Sequence, residues 1–261
     1  RQALALREEI APDSLEVARS AANLGLVAGR VGHLEEAIRL EQRAFAIRTA
    51  VAPESLEVAL GLTSLASLTA DSGDLEEAER LHRDALAIRR RLAPGGLAEA
   101  TSRYGLCVTL FSAGRPDEAA EQCRRAVEIN QRLAPGSLQL ASSRFQLGLV
   151  ERRQGRLEAA REHFTATLEA LESQERRLVI DGGGRRDLSE RIRGWYQAAI
   201  LTELELGQPE AAFALLERSR ARQLRTMLAS RDLVVEEVPE DLRQELRRVT
   251  AVADRARSEL G

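Results

Sequence analysis

Apolar and polar positions along this chain recur on two nested rhythms. Within short stretches the apolar residues step by three and four, the spacing of one helix face. Leu56, Ala59, Leu62 and Leu65 make one such stripe, and Leu75, Ala78, Leu81, Ala85, Ile88 and Leu92 make the next. Whole stripes then recur every 41 residues. Leu15, Leu56, Leu97 and Leu138 match, as do Ala18, Ala59, Ala100 and Ala141, then Leu24, Leu65, Leu106 and Leu147. In the following helix Ala37, Ala78, Ala119 and Ala160 match, with Ile47, Ile88 and Ile129. An alanine held in one column predicts two helices in close approach, where a larger side chain would force them apart.

The breaks between stripes keep the same interval. Pro12, Pro53, Pro94 and Pro135 each sit in an Ala-Pro-x-x-Leu phrase, and Gly32, Gly73, Gly114 and Gly155 mark the other break. Each period therefore reads as two helices. Ser55 is a natural N-cap for a helix running to about Leu68, and Asp71-Ser72-Gly73 ends it. Asp74 caps the next helix, with Glu77 placed to complete a capping box. Pro116 and Pro209 occupy first helical positions instead. A fixed period of this size predicts an all-α solenoid. Arg1–Arg7 repeats the pattern of Arg83–Arg89, so the chain opens inside a unit and further units are expected upstream.

These residues resemble the tetratricopeptide repeat, or TPR, and the resemblance implies a right-handed α-α superhelix. Leu24-Gly25, Gly32, Ala37 and Ala44 fall at its signature spacing, as do Leu147-Gly148, Gly155 and Ala160. The 41-residue length is similar to the kinesin-light-chain-type variant, and the phrase from Gly73 to Arg89 is close to it. Cys107 and Thr167 depart from the pattern, where Gly or Ala is usual; neither is bulky enough to threaten the fold. The resemblance covers residues 1–173.

The next matching glycine, Gly207, comes 52 residues after Gly155. The extra residues lie around Leu178–Gly184, and three successive glycines predict a loop at Gly182–Gly184. A fifth, divergent helix pair is expected within 174–230, as residues 187–206 and Glu210–Ser230. Residues 211–228 and 238–246 resemble the end of the TPR array in TPR–CHAT proteins, where a helical connector leads to a caspase-like peptidase domain. The resemblance implies that 231–261 is a linker and connector to a C-terminal domain. Leu242, Leu246, Val249, Ala253, Ala256 and Leu260 form its apolar seam, to be covered by a following helix, by the Glu210–Ser230 helix or by a second copy in a homodimer.

Composition narrows the function classes. The formal charge is −3, all 38 basic residues are Arg, and aromatics are 3%. That balance argues against nucleic acid as a partner. No apolar run approaches the ~18 residues of a membrane span, and a cytoplasmic protein is expected. His33, His82 and His163 lack ligand spacing, so no metal or other cofactor is expected. Cys107 and Cys123 read as buried structural thiols rather than a disulfide framework. No catalytic motif is present, and this segment is not expected to be an enzyme.

Binding is the expected work, of a protein, a peptide or the chain's own C-terminal domain. The resemblance puts the first helix of each pair on the concave side. Its groove-facing residues would be Arg19, Ala22, Asn23, Leu26 and Arg30 in unit one, and Leu60, Thr63, Ser67 and Asp71 in unit two. Unit three offers Thr101, Tyr104, Val108 and Phe111, and unit four Ser142, Phe145, Leu149, Arg152 and Arg153. Asn23, Arg30, Tyr104, Phe111, Phe145, Leu149 and Arg152 are the leading candidates, because aromatic and Arg anchors dominate protein-binding hot spots. Packing of the aromatics against a neighbouring helix is the competing reading. Asn23 becomes Ser64, Gly105 and Gln146 down its column, which disfavours the carboxylate clamp of chaperone-binding TPRs. Arg218, Arg222 and Arg225 line one face of a late helix, as a docking patch or a solvated surface. The reading that results is the sensor or regulatory part of a TPR–CHAT protease. Its alternatives are the TPR tail of a signalling ATPase or transcription regulator, and a free-standing adaptor.

Overall fold

The computed structural model describes residues 2–175 and 182–231, and every regular element among them is a helix. A half-length α1 (Gln2–Ile10) precedes four helix pairs: α2 (Leu15–Arg30) with α3 (Leu34–Val51), α4 (Leu56–Asp71) with α5 (Leu75–Leu92), α6 (Leu97–Ser112) with α7 (Pro116–Leu133), and α8 (Leu138–Arg153) with α9 (Leu157–Glu175). A longer α10 (Gly182–Glu205) follows. Each pair packs as a hairpin, and the second helix of each pair also packs on the first helix of the next. The chain thus repeats one contact scheme from α2 to α10.

Local chemistry sets the helix ends. Ser14, Ser55 and Ser137 cap α2, α4 and α8, accepting from the backbone N–H of Val17 (3.4 Å), Val58 (3.3 Å) and Leu140 (3.1 Å). Gly96 holds that column before α6 and has no side chain to offer. Asp74 accepts from the Glu77 N–H at 3.1 Å. The Glu77 carboxylate does not return the bond; it takes Arg80 Nε at 2.7 Å. A charged donor one turn along is the stronger partner. Gly73 adopts φ +94°, and the Asp74 N–H reaches back to the Thr69 carbonyl at 3.1 Å, which closes the end of α4 in a Schellman motif. Gly207 (φ +70°) ends α10 in the same way, with Gln208 N–H on the Glu203 carbonyl at 2.8 Å.

The alanine columns lie at the centre of this packing. Ala37, Ala78, Ala119 and Ala160 have no exposed surface, and neither do Ala44, Ala85 and Ala126. Thr167 continues the second column; its hydroxyl donates to the His163 carbonyl at 2.8 Å and so stays satisfied while buried. The Leu15, Leu56 and Leu97 column, by contrast, is half-exposed at the first turn of its helices.

Two expectations are corrected. Cys107 and Cys123 are not free thiols but a disulfide between α6 and α7. The columns explain it. Cys107 shares its column with Gly25, Ala66 and Gly148, and Cys123 shares its own with Glu41, His82 and Phe164. In unit four the two columns meet directly: a Cβ placed on Gly148 would stand 2.6 Å from the Phe164 ring. In unit three two medium-sized side chains fill the space that Gly148 and Phe164 fill in unit four.

Gly182–Gly184, expected as a loop, begins α10 instead. The first-turn N–H groups of any helix lack intrahelical acceptors, so glycine there gives up little. Ile192, Trp195 and Tyr196 are buried further along and hold the helix down. Residues 178–181 lie outside the described ones. The last described helix, α11 (Pro209–Arg231), belongs to a separate unit from residue 209 onward. It starts on a proline, buries Ala212 and Arg222, and exposes Phe213 and Leu224. Burial of Arg222 breaks up the proposed basic face, which keeps Arg218 on its exposed side. The side chain of Arg225, the 238–246 phrase and the Leu242–Leu260 seam lie outside the described residues.

Candidate functional site

The first helices of successive pairs lie side by side, α4 against α6 and α6 against α8. Between α2 and α4 they leave a cavity of about 900 Å³. Arg19, Ala22, Asn23, Leu26 and Arg30 line it from α2, and Leu60, Thr63, Ser67 and Asp71 from α4. Those are the nine positions the repeat frame assigns to the groove of units one and two. Ser64 and Leu68 join them.

The floor of this cavity was not expected. Glu41 and Arg48 of α3 reach it, both buried, with Arg48 Nη1 on Glu41 Oε1 at 2.8 Å. Burial holds the Glu41 carboxyl above its ordinary range, against the pull of Arg48. Glu57 at the rim stands 3.8 Å from Arg48 Nε.

Arg48 occupies a column with its own logic. In three other units the equivalent residue donates to a serine thirteen residues on, across the joint between one pair and the next. Arg7 donates to Ser20, Arg89 to Ser102 at 2.7 Å, and Asn130 Nδ2 to Ser143 at 3.1 Å. Unit two has Gly61 where the serine stands elsewhere, so Arg48 turns back to Glu41. A Cβ on Gly61 would lie 3.1 Å from Arg48 Nη1. Phe45 and Arg48 occupy the space beside Gly61, and the inward ion pair forms part of the cavity floor. The column spacing carried this signal, but it shows only when polar columns are aligned as carefully as apolar ones.

The remaining candidates fall into two further places. Phe111, Leu149 and Arg152 line a smaller pocket of about 360 Å³ with Arg153 and Glu205. There Arg152 grips Glu205 of α10 through Nε at 2.9 Å and Nη2 at 2.5 Å. Phe145 is half-buried in an aromatic cluster, with ring centroids 5.4 Å from Phe164 and 5.5 Å from Trp195. Tyr104 is also half-buried, and burial pushes its hydroxyl pKa up. The seven candidates therefore do not form one surface: Asn23 and Arg30 share the large cavity, and Phe145 and Arg152 of α8 are engaged by α10. Among the described residues, no group of three His, Cys, Asp or Glu side chains could hold a metal ion, and no helix is long and apolar enough to cross a membrane.

The repeat geometry has a family behind it. Models described as tetratricopeptide repeat match residues 17–54, 55–131 and 99–173. The chain belongs to the tetratricopeptide repeat family. Solved TPR-like structures agree in fold. The structure of BtubC (BKLC) from P. vanneervenii superposes with a TM-score of 0.71 at 16% identity, covering 86% of this chain and 88% of that one. A putative kinesin light chain from Podosopora anserina, with nearly identical TPR-like repeats, gives 0.61 at 21% identity over 80% and 95%. A Rap protein complexed with Competence and Sporulation Factor gives 0.63 at 14% identity, over 78% of this chain and 52% of that one. No curated protein matches the chain.

Proposed function

We propose that this TPR array is a cytoplasmic scaffold that binds a protein segment in extended form, and that the cavity between α2 and α4 is its principal site. The observation that carries the reading is the convergence of nine frame-assigned residues on one cavity of about 900 Å³. Its walls combine apolar contact from Leu26, Leu60 and Leu68 with polar groups from Asn23 and Ser64. That mixture suits a peptide, whose backbone needs hydrogen bonds while its side chains seek apolar cover. The Rap protein, solved with Competence and Sporulation Factor bound, lends the reading support by analogy. Tyr104, Phe111, Phe145, Leu149 and Arg152 remain secondary candidates, and α10 already engages Phe145 and Arg152.

At a finer level, the array is the sensor or regulatory part of a TPR–CHAT caspase-like protease. Residues 211–228 carry that reading through their resemblance to the end of such arrays, and a reading frame encoding a caspase-like domain beyond them would support it.

Selection of peptides from a random display library on the immobilised chain tests the binding site. Enriched peptides should lose about ten- to hundredfold affinity with Asn23→Ala or Leu60→Glu, roughly 1–3 kcal/mol, at an unchanged melting temperature. Enriched peptides that ignore both substitutions would remove the cavity from consideration.

A further inference from the structure

Unit three differs from its neighbours by one covalent bond, and that bond is placed to act on a pocket. Cys107 of α6 and Cys123 of α7 are joined across the turn at Ala113–Arg115, with a sequence separation of 16. Both are fully buried, inside a cluster with Leu86, Leu106, Leu110, Leu147 and Val150. Phe111 packs on that cluster from α6, and Phe111 also lines the pocket with Leu149 and Arg152. One side chain therefore touches both the region around the sulfur atoms and the pocket wall.

We propose that Cys107–Cys123 is a redox-controlled lock on the α6–α7 hairpin, and that its state sets the packing of Phe111 in the adjoining pocket. Closure is a thiol–disulfide exchange with a disulfide-bearing oxidant, which reaches the buried sulfurs when the α6–α7 hairpin opens locally. The Cys107 thiolate attacks the oxidant, forming a mixed disulfide and releasing one oxidant thiol. The Cys123 thiolate then attacks Cys107 Sγ and releases the second. The protein loses two protons and two electrons, and the oxidant becomes two thiols. Opening reverses this with a dithiol reductant.

The structural consequence follows from packing density. Two sulfur atoms released from a bond must separate to non-bonded contact, and a close-packed core has no spare volume to receive them. The hairpins of the other units set no covalent limit at this point, because the same columns hold Gly25 and Glu41, Ala66 and His82, and Gly148 and Phe164. Only α6 and α7, among the described hairpins, are held at a separation that chemistry can change. In a reducing cytosol a pair of this kind senses redox state rather than serving as a permanent staple. The inference rests on the cytoplasmic placement proposed above and not on the peptide-binding site.

The whole chain, incubated with oxidised glutathione and then denatured with an alkylating agent present, should show no alkylated cysteine by intact mass. After dithiothreitol it should show two. Hydrogen exchange on the two native forms should then differ in residues 97–133, with protection at least tenfold lower in the reduced form, while residues 56–92 stay the same. A Cys107→Ala/Cys123→Ala variant should ignore dithiothreitol. Alkylation of both cysteines after glutathione treatment would overturn the lock. A disulfide whose reduction leaves exchange in residues 97–133 unchanged would overturn its control of the hairpin, and neither result depends on the variant folding.

Discussion

Glu54 adopts φ +57°, alone among the described non-glycine residues in the left-handed region. Its column mates Gly95 and Gly136 take the same conformation at φ +67° and +78°. For a side chain with a Cβ that conformation costs about 1 kcal/mol. The exposed pair from Glu54 to Arg91, at 2.8 Å, returns little of it. Glu54→Gly should therefore stabilise the chain by about 0.5–1 kcal/mol, read as a melting temperature a few degrees higher; a lower one would show that the turn depends on the ion pair. His82 makes a second case. It is buried between α4 and α6, and burial first, then the charge of Arg89, lowers its pKa to about 4. The unfolded chain takes up this proton near pH 6.5, whereas the folded chain refuses it until about pH 4. The stability His82 contributes is thus complete above pH 6.5 and is lost as pH falls towards 4, by about 3 kcal/mol. Denaturant melts across that range should be flatter for His82→Gln; parallel slopes would place the pH dependence elsewhere.

At the scale of the element, the hairpin is held by small side chains. Ala78 of α5 has no exposed surface, so Ala78→Arg would place an unpaired charge between α4 and α5 and should cost several kcal/mol. A circular dichroism melt unchanged by the substitution would contradict the close approach. Most helix ends were legible because they are local: a serine or aspartate cap, a glycine in the left-handed region and a proline each act within a few residues. The start of α10 was not. Its glycines look like a loop in isolation, and only the burial of Ile192, Trp195 and Tyr196 a few turns later commits the segment to helix. The disulfide was hidden for a related reason. Spacing along the chain says nothing of two cysteines 16 apart until both are set into facing columns.

For the array from α2 to α10, the repeat frame taken with the TPR resemblance picked out nine residues of units one and two that line one cavity. It could not locate what fills the groove further on. Trp195 and Glu205 sit on α10, where the 41-residue spacing has lapsed, so no column pointed to their contacts with Phe145 and Arg152. The joints between units have a last consequence, and it concerns the gene. Arg89 meets Ser102 and Asn130 meets Ser143 by one thirteen-residue rule. Recombination between two repeats that removes residues 97–137 sets Arg89 opposite Ser143, and removal of residues 56–96 sets Arg48 opposite Ser102, so each new joint finds a matching partner. Unequal crossing-over can therefore shorten such an array by one period without orphaning a buried guanidinium, and the number of repeats becomes something selection can adjust one step at a time.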